Sequence, residues 1–481
     1  MTRFYLFIIA VLLLPLHSQA QTADTASFTL EQCIQYALEN SVAIKNAVLD
    51  QEIARAKVKE TRGIGLPQLN GNVTLQHNPK LQQFFSTYEV AQGFRGNAPK
   101  LTDVSLQDVV SQANFFQLQS NGTAALSVNQ LLFNSSYLVG LKAANTYKEL
   151  SVRTAQQTNE QIVQNVAKAY YACLINKDRI KLFDNNIARI DSLLKSTRAL
   201  NENGFAERID VDRIQVTYNN LKVERDKFYN LQDLSINVLK FQMNYPMSDS
   251  LRVIGDISSL NINGDILKNY SDEWDYANRI DYKILETNRE LQKLNVKNNY
   301  AESLPSLSAF ATLGYFTQSR DVAGLFKTNT PRIVETQGYT RDKWFPYSSY
   351  GVTLNVPLFS GLQRNYKLQQ AKLTLQKVEN SFSALKSGID LEIAQSNTTF
   401  INANESLKSQ KENVALAQNI ARITKIKYEQ GVGSNLEVVD AETALKEAQT
   451  NYYSALYDAI IAKVDLDKAY GKLLPTITEN K

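Results

Sequence analysis

The feature that most constrains this chain is a long stretch without proline, which lies between Pro357 and Pro475. Proline breaks helix interiors, because it lacks the backbone N–H and its ring clashes with the preceding turn. Apolar residues in the stretch recur at alternating steps of three and four, which is the seam of a coiled coil. The pattern predicts a helix over about 362–430, roughly 100 Å long at about 1.5 Å per residue. A returning helix follows Gly431 and Gly433, so we expect an elongated protein.

The first half of the chain contains the same arrangement. A regular coiled-coil seam runs to about residue 201, breaks at Gly204 and resumes in a returning helix. Phe133-Asn134-Ser135 corresponds to Phe359-Ser360-Gly361, and Gly204 corresponds to Gly431, at nearly the same offset along the chain. Two distant loci that share one offset indicate an internal duplication. The sequence therefore predicts two structural repeats.

Each repeat also contains two segments in which apolar and polar residues alternate, which is typical of β-strands. The strands are predicted near residues 67–76, 123–133, 305–317 and 349–358. Their length is that of a tilted membrane-spanning strand, with lipid on one face and water on the other. A soluble β-hairpin with one buried face fits the local alternation equally well. The export signal described below favours the membrane.

Four strands are too few to close a membrane barrel, because the smallest barrels have about eight. Open edges would leave backbone groups without hydrogen bonds in hydrocarbon. The chain is therefore expected to oligomerise. Two copies would supply eight strands around a filled interior, whereas three would supply twelve around a water-filled lumen. The sequence alone leaves both assemblies open, and a conduit requires the larger.

The N-terminus has the features of a secretory signal peptide. Arg3 precedes an apolar core, and Ser18-Gln19-Ala20 forms a cleavage site of small residues. We therefore expect export of the mature chain. The predicted division is a signal peptide at 1–20, a first repeat at 21–245, a mixed segment at 246–271, a second repeat at 272–474 and a short tail at 475–481.

Composition excludes several classes of function. The net charge of +4 is too small to indicate a nucleic acid partner. Cys33 and Cys173 fall in helical apolar patterns and are expected to be core thiols, although an oxidising compartment would also permit a disulfide. His77 is the one histidine after the signal peptide, so neither a metal site nor a cofactor is predicted. The sequence has no nucleophile–base set or phosphate loop, so we do not expect an enzyme.

Together these features resemble the TolC family of outer-membrane efflux channels, over nearly all of the mature chain. The resemblance lies in the duplicated order of helix, Leu-Pro-x-Leu strand, loop, strand, long helix, glycine turn and returning helix. The matching segments are Leu66-Pro67-Gln68-Leu69, Leu304-Pro305-Ser306-Leu307, Val356-Pro357-Leu358-Phe359-Ser360-Gly361 and Tyr428-Glu429-Gln430-Gly431. The chain departs from the family in its long loop at 79–121, in Leu131 where the second repeat has Pro357, and in its short tail.

The resemblance implies an α+β fold that is mostly α, with duplicated coiled-coil helices and four membrane-spanning strands per chain. It implies a homotrimer whose twelve strands form a barrel in outer-membrane lipid, continuous with a twelve-helix periplasmic tunnel. A periplasmic adaptor protein and an inner-membrane transporter would dock at the tunnel's tip. The implied function is the passive exit duct of a tripartite efflux or type I secretion system, in the outer membrane and extending into the periplasm. The alternative is a periplasmic coiled-coil adaptor or scaffold, which would leave the four strands unexplained.

The two glycine turns are predicted to form the periplasmic entrance of the duct. An acid stands six residues after each glycine, Asp210 after Gly204 and Glu437 after Gly431. Asp440 follows Glu437 by three residues and shares its helix face. In the resembling family, acids at this place line the constricted entrance as carboxylate rings, which favour cations. Tyr428 matches a family tyrosine whose contacts hold the entrance closed.

The same acids also have a purely structural interpretation. Ser434 and Glu437 match a capping box, and Asp210 lies in a first helical turn, where the helix dipole favours acids. Asp440 lies beyond the first turn, so capping does not explain it. Gly204 and Gly431 are expected to serve the geometry of the turns.

Overall fold

The computed structural model describes residues 26–96, 99, 102–114, 116–257, 266–326 and 344–473. The predicted signal peptide at 1–20 and the predicted tail at 475–481 lie outside the described residues. The chain forms two compact units. The first comprises Met1–Ala54, Lys148–Arg289 and Gln376–Lys481, and the second comprises Arg55–Tyr147 and Glu290–Leu375. Each unit draws on both halves of the chain, and the division into two repeats stays a prediction.

The described chain begins with a short strand and two helices, β1 (Ala26–Phe28), α1 (Leu30–Asn40) and α2 (Val42–Ile64). The apolar periodicity predicts one helix over about 28–62, and the structure divides it at Ser41. Helix α1 begins at Thr29, whose side chain forms a reciprocal capping box with Gln32. It ends at Ser41, because this residue turns to an extended conformation with a ψ of 133°.

Strand β2 (Gln68–His77) leads into the region for which the sequence predicts only a loop, 79–121. The structure has a small sheet and a helix there: β3 (Phe84–Thr87), α3 (Tyr88–Arg95) and β4 (Val109–Gln112). Strands β3 and β4 pair antiparallel, with Phe84 opposite Gln112. These elements are too short for a hydrophobic period to be recognised in the sequence.

The remaining elements follow the predicted order of strand, long helix and returning helix. They are β5 (Ser120–Phe133), α4 (Ser135–Glu202), α5 (Arg208–Met243), β6 (Leu251–Val253), α6 (Ile266–Asp272), α7 (Ile280–Ala301), β7 (Ser306–Ser319), β8 (Phe345–Asn355), α8 (Gln363–Glu429) and α9 (Asn435–Ala469). The sequence predicts α7 from about residue 272, but a separate 3₁₀ turn at Tyr276–Asn278, capped by Asp275, precedes it. Strand β6 pairs in parallel with β1, a partner that the sequence does not predict. Within the described ranges, no helix is both long and apolar enough to cross a membrane.

Four strands form one antiparallel sheet in the order β2-β5-β7-β8. Paired residues present their side chains on the same face of a sheet. One row across the sheet consists of Leu69, Val128, Ala311 and Tyr350. The neighbouring row, on the opposite face, consists of Asn70, Ser127, Thr312 and Ser349. The register therefore collects most of the aliphatic positions of the four strands on one face, which we call the apolar face. The other, the polar face, is mostly polar but also includes Phe310, Phe316 and Phe345.

The last strands of the two halves end differently. Strand β8 ends at Asn355, two residues before Pro357, which has no N–H to donate to a ladder. Strand β5 has Leu131 at the corresponding place and continues to Phe133, with a shift of register between these two residues. Strand β5, which lacks the proline, therefore continues further than β8 and ends with an irregular pairing.

The first unit buries a hydrophobic core between its helices, and both cysteines lie in it. Cys33 on α1 and Cys173 on α4 are completely buried and are free thiols, as their apolar patterns predict. Burial raises the pKa of each thiol to about 12. Both side chains therefore act as small apolar groups, because only a thiolate is reactive.

Candidate functional site

Two turns join the long helices, and both depend on a glycine in the left-handed region. Helix α4 is followed by Gly204 with a φ of 83°, and α8 is followed by Gly431 with a φ of 74°. After Gly431, the N–H of Val432 donates to the carbonyl of Lys427 at 3.0 Å, and the first turn has the equivalent bond. This is a helix C-cap for which glycine is preferred. A Cβ at either glycine would meet no atom within 4 Å, so backbone conformation rather than space favours glycine.

Gly433 is required for a different reason. A Cβ at this position would lie 3.1 Å from both the Cβ of Lys427 and the backbone nitrogen of Tyr428. The N–H of Gly433 also donates to the carbonyl of Lys427 at 3.1 Å. The second turn therefore folds tightly against the last turn of α8, and a side chain at Gly433 would push it away.

The two acids on α9 are exposed. Ser434 caps this helix, since its hydroxyl accepts the N–H of Glu437 at 3.2 Å. The reciprocal half of the predicted capping box is absent: the carboxylate of Glu437 bonds to no group in the described part of the chain. Asp440 is exposed on the same helix and is likewise unpaired among the described residues. Local structure therefore leaves both carboxylates directed to solvent.

Asp210, the equivalent acid on α5, is placed differently. Its carboxylate accepts a bond from the Arg213 guanidinium at 3.2 Å, and its side chain is 25% exposed. Its backbone carbonyl accepts a bond from the Asn435 side chain at 3.1 Å, which joins the start of α5 to the start of α9. The structure thus brings Asp210 to the second turn, but with its charge partly compensated.

Tyr428 connects two helices through its hydroxyl. It lies in the last turn of α8, and its oxygen is 3.1 Å from the hydroxyl oxygen of Thr197 on α4. Thr197 is completely buried. The ring of Tyr428 packs against a hydrophobic cluster that includes Leu194 and Val438. This contact can hold α8 against α4 next to the turns.

Sequence reasoning missed the partners of these residues. Besides Thr197 and Asn435, it missed Arg189, whose Nε donates to the carboxylate of Glu442 at 2.9 Å. Arg189 and Glu442 are 253 positions apart in the chain, so no local pattern relates them. Thr197 could have been recognised in the sequence, because it continues the apolar seam of α4 three residues after Leu194. A polar residue at a seam position indicates a specific partner.

The apolar face of the sheet is the second candidate surface. Its side chains stay exposed in the single chain, for example Val73 at 72%, Leu126 at 56% and Leu313 at 65%. Soluble proteins rarely leave a contiguous apolar surface of this extent open to water. The face therefore requires a cover of lipid or protein. No cluster of three or more candidate metal ligands occurs within the residues that the structure describes.

Comparison with known proteins identifies the family. The family described as Outer membrane efflux protein matches residues 33–225 and 277–472. TtgC of Pseudomonas putida, a probable efflux pump outer membrane protein, is 22% identical over 482 residues, covering 95% of this chain and 88% of that protein. The outer membrane protein TolC of Vibrio cholerae is 21% identical over 358 residues, covering 73% of this chain and 77% of that protein. The crystal structure of the outer membrane protein VceC from Vibrio cholerae has the same fold, with a TM-score of 0.67 at 15% identity, covering 92% of this chain and 96% of that one.

These matches decide between the functions that the sequence allows. They confirm the predicted resemblance, the outer-membrane location, the role in efflux or secretion and a mostly helical fold with a few strands. They do not favour a periplasmic adaptor, and they agree with a passive duct rather than an enzyme. The chain therefore belongs to the outer membrane efflux protein family.

Proposed function

We propose that three copies of this chain assemble into a passive exit duct that is gated at its periplasmic end. Three four-stranded sheets would close into a twelve-stranded barrel in outer-membrane lipid, and the long helices would form a twelve-helix tunnel. The observation that carries this proposal is the register of the sheet. Among the described residues, strands β2 and β8 each pair on one side only, so a neighbouring copy can pair with the free edge of each. The apolar face would then contact lipid and the polar face would line the lumen.

Exposed apolar residues on the long helices also support self-association. On α5, Ile209, Val216 and Val223 recur at steps of seven and are each more than half exposed. On α8, Leu416, Ile420 and Ile423 recur at steps of four and three and are also exposed. Rows with this spacing are the seams of coiled coils. Neighbouring copies of the same helices would cover them.

The gate that we propose consists of the contacts and charges beside the two turns. The bond between Tyr428 and Thr197 would hold the entrance closed. Three copies of Glu437 and Asp440 would surround one narrow axis, where a ring of negative charge favours cations. Asp210 would contribute less, because Arg213 already pairs with it.

The partners would dock at the turns. Phe205 and Val432, each one residue after its glycine, are 81% and 78% exposed. Exposed apolar residues at the end of a coiled coil offer contacts to another protein. We propose that a periplasmic adaptor binds there and links the duct to an inner-membrane transporter, which selects the cargo.

Paired substitutions on the two faces of β7 test the membrane assignment. Leu313→Lys would place a charge in lipid, at a cost of about 2–4 kcal/mol near the bilayer centre. Thr312→Lys, on the polar face, would place the same charge in the lumen. We expect heat-modifiable trimers in outer-membrane fractions for Thr312→Lys and a marked loss for Leu313→Lys. Equal recovery of both variants would contradict the assignment of the faces.

Single-channel recordings test the gate. The double variant Glu437→Ala/Asp440→Ala is expected to lose cation preference, because it removes the ring at the constriction. The control is Glu379→Ala/Glu405→Ala, which removes two exposed acids of α8 away from the turns. Unchanged selectivity in the first variant would leave these acids without a role in the gate.

A further inference from the structure

A polar cavity lies in the second unit, beside the junctions between strands and helices. Its volume is about 440 Å³, and most of its lining side chains are polar or charged. Ser306 and Asn355 contribute to it from the ends of β7 and β8, where they lie opposite each other on the polar face. Arg364 and Lys367 contribute from the first turns of α8, and Glu302 from the residues after α7. Two cations thus meet one carboxylate in this space.

Arg364 brings unused hydrogen-bond donors to the cavity. Its side chain is half-buried, and one terminal nitrogen donates to the carbonyl of Pro357 at 3.0 Å. A guanidinium has five N–H donors in a planar fork. The remaining donors find no acceptor among the residues that the structure describes. A half-buried fork with free donors matches the geometry of a phosphate group.

Lys367 is the second cation of the cavity, and it forms only a weak ion pair. Its ammonium is 4.0 Å from the carboxylate of Glu302, and the two side chains are 60% and 40% exposed. Glu302 also accepts a bond from Asn298 at 3.2 Å. An exposed ion pair at this distance contributes little and is easily replaced. Counting Arg364, Lys367 and Glu302 as charged, the cavity carries one net positive charge.

We propose that this cavity binds a phosphate group of a soluble molecule. Arg364 and Lys367 would hold the phosphate oxygens, while the hydroxyl of Ser360 and the amide of Asn355 would donate from other directions. A lipid headgroup has the same chemistry, but Ser306 and Asn355 lie on the polar face of the sheet. This part of the inference rests on the proposed function, in which the polar face lines the lumen. The cavity would then contact phosphorylated cargo during transit.

Binding to the purified full-length protein in detergent tests the proposal. Isothermal titration with pyrophosphate at low ionic strength is expected to show binding to the unmodified protein, because screening is then weakest. The double variant Arg364→Gln/Lys367→Gln should bind at least tenfold more weakly. Lys372→Gln removes a nearby cation that stacks on Tyr300 outside the cavity, and it should bind like the unmodified protein. Glu302→Gln should bind several-fold more tightly, because it removes the competing carboxylate.

Two outcomes would overturn the proposal: no pyrophosphate binding, with or without binding of dispersed phosphatidylglycerol, or equal pyrophosphate binding by the double variant. Binding of phosphatidylglycerol alone would assign the cavity to lipid. The titration does not need an open pore, so it gives a result even if the protein conducts no ions. A failure of the duct proposal would appear in the recordings and would leave the binding result intact.

Discussion

At Tyr428 a single hydroxyl joins α8 to a completely buried threonine on α4. Tyr428→Phe would leave the Thr197 hydroxyl without this partner. We expect the free energy of unfolding to fall by about 1 kcal/mol, the usual net value of such a bond. The resting channel should also conduct more. Thermal unfolding and single-channel recordings measure the two effects.

Two further variants test whether the expected changes in stability and conductance arise from the bond between Tyr428 and Thr197. Tyr229→Phe removes a hydroxyl from an exposed tyrosine of α5 and should change neither quantity. Thr197→Val should cost less in the Tyr428→Phe background than alone, because groups that contact each other are not additive. Additive losses would show that the two hydroxyls act separately.

Glu160 on α4 is a buried carboxyl in a network of charges. It is 8% exposed, and burial raises its pKa, while Arg279 and Lys468 oppose this and Asp281 and Glu392 reinforce it. Arg279 organises the network: it is almost completely buried and pairs with Asp281 and Glu392 at 2.8 Å each. It also donates to the backbone carbonyl of Ala469, at the end of α9, at 3.0 Å.

The raised pKa of Glu160 predicts a pH dependence of stability. A carboxyl whose pKa is higher in the folded state destabilises the fold as the pH rises above its ordinary pKa, and the loss is complete once the pH exceeds the raised pKa. Glu160→Gln should therefore be more stable than the unmodified protein at neutral pH. The difference should shrink as the pH falls and vanish below the ordinary carboxyl pKa. Denaturation curves across this range provide the measurement, and a less stable Glu160→Gln at neutral pH would mean that Arg279 and Lys468 require the charge.

At the scale of elements, the long helices depend on glycine only where they end. Gly431→Ala would force a left-handed alanine, at a cost of about 1 kcal/mol. Gly388 lies exposed inside α8 with open space around it, so Gly388→Ala should instead stabilise by about 0.5–1 kcal/mol through helix propensity. Thermal unfolding of both variants compares them directly. A destabilised Gly388→Ala would show that the middle of α8 needs glycine for a contact that the single chain lacks.

At the same scale, the sequence predicts the regular elements well and the irregular ones poorly. The sequence predicts α8 over about 362–430, and the helix spans Gln363–Glu429. The sequence predicts neither the division of the first helix at Ser41 nor the small sheet between β2 and β5. A long helix repeats its period many times, whereas a capping residue or a four-residue strand leaves no period to recognise.

At the scale of the whole molecule, the apolar row on α5 predicts the oligomeric state. Val223→Glu would bury a charge in the interface between copies, so we expect the trimer to dissociate or fail to form. Lys222→Glu introduces the same side chain at the neighbouring exposed position, on another side of the helix, and should leave the trimer intact. Light scattering of the detergent-solubilised proteins reports the mass. A monomeric unmodified protein, or a trimeric Val223→Glu, would contradict the proposed assembly.

In the candidate site, too, the sequence predicts the features that depend on neighbouring residues and not the contacts between distant ones. Gly204, Gly431 and the acids after them could be identified from the sequence, because turns and first helical turns have local requirements. The contacts that surround these residues could not be identified from the sequence. The pairing of Asp210 with Arg213 leaves it unlike Glu437, and the partner of Tyr428 is 231 positions away.

The sequence by itself determined the lengths of the long helices, the places of the glycine turns and the alternation of apolar and polar residues along the strands. Each of these depends on residues close together in the chain: the absence of proline, a period of 3.5 or 2, and a glycine where φ is positive. Only the tertiary structure decided which strands are neighbours, that Leu69, Val128, Ala311 and Tyr350 form one row, and which buried polar groups meet. Those contacts join segments far apart in the chain, and their free energy depends on distances and burial that no local pattern encodes.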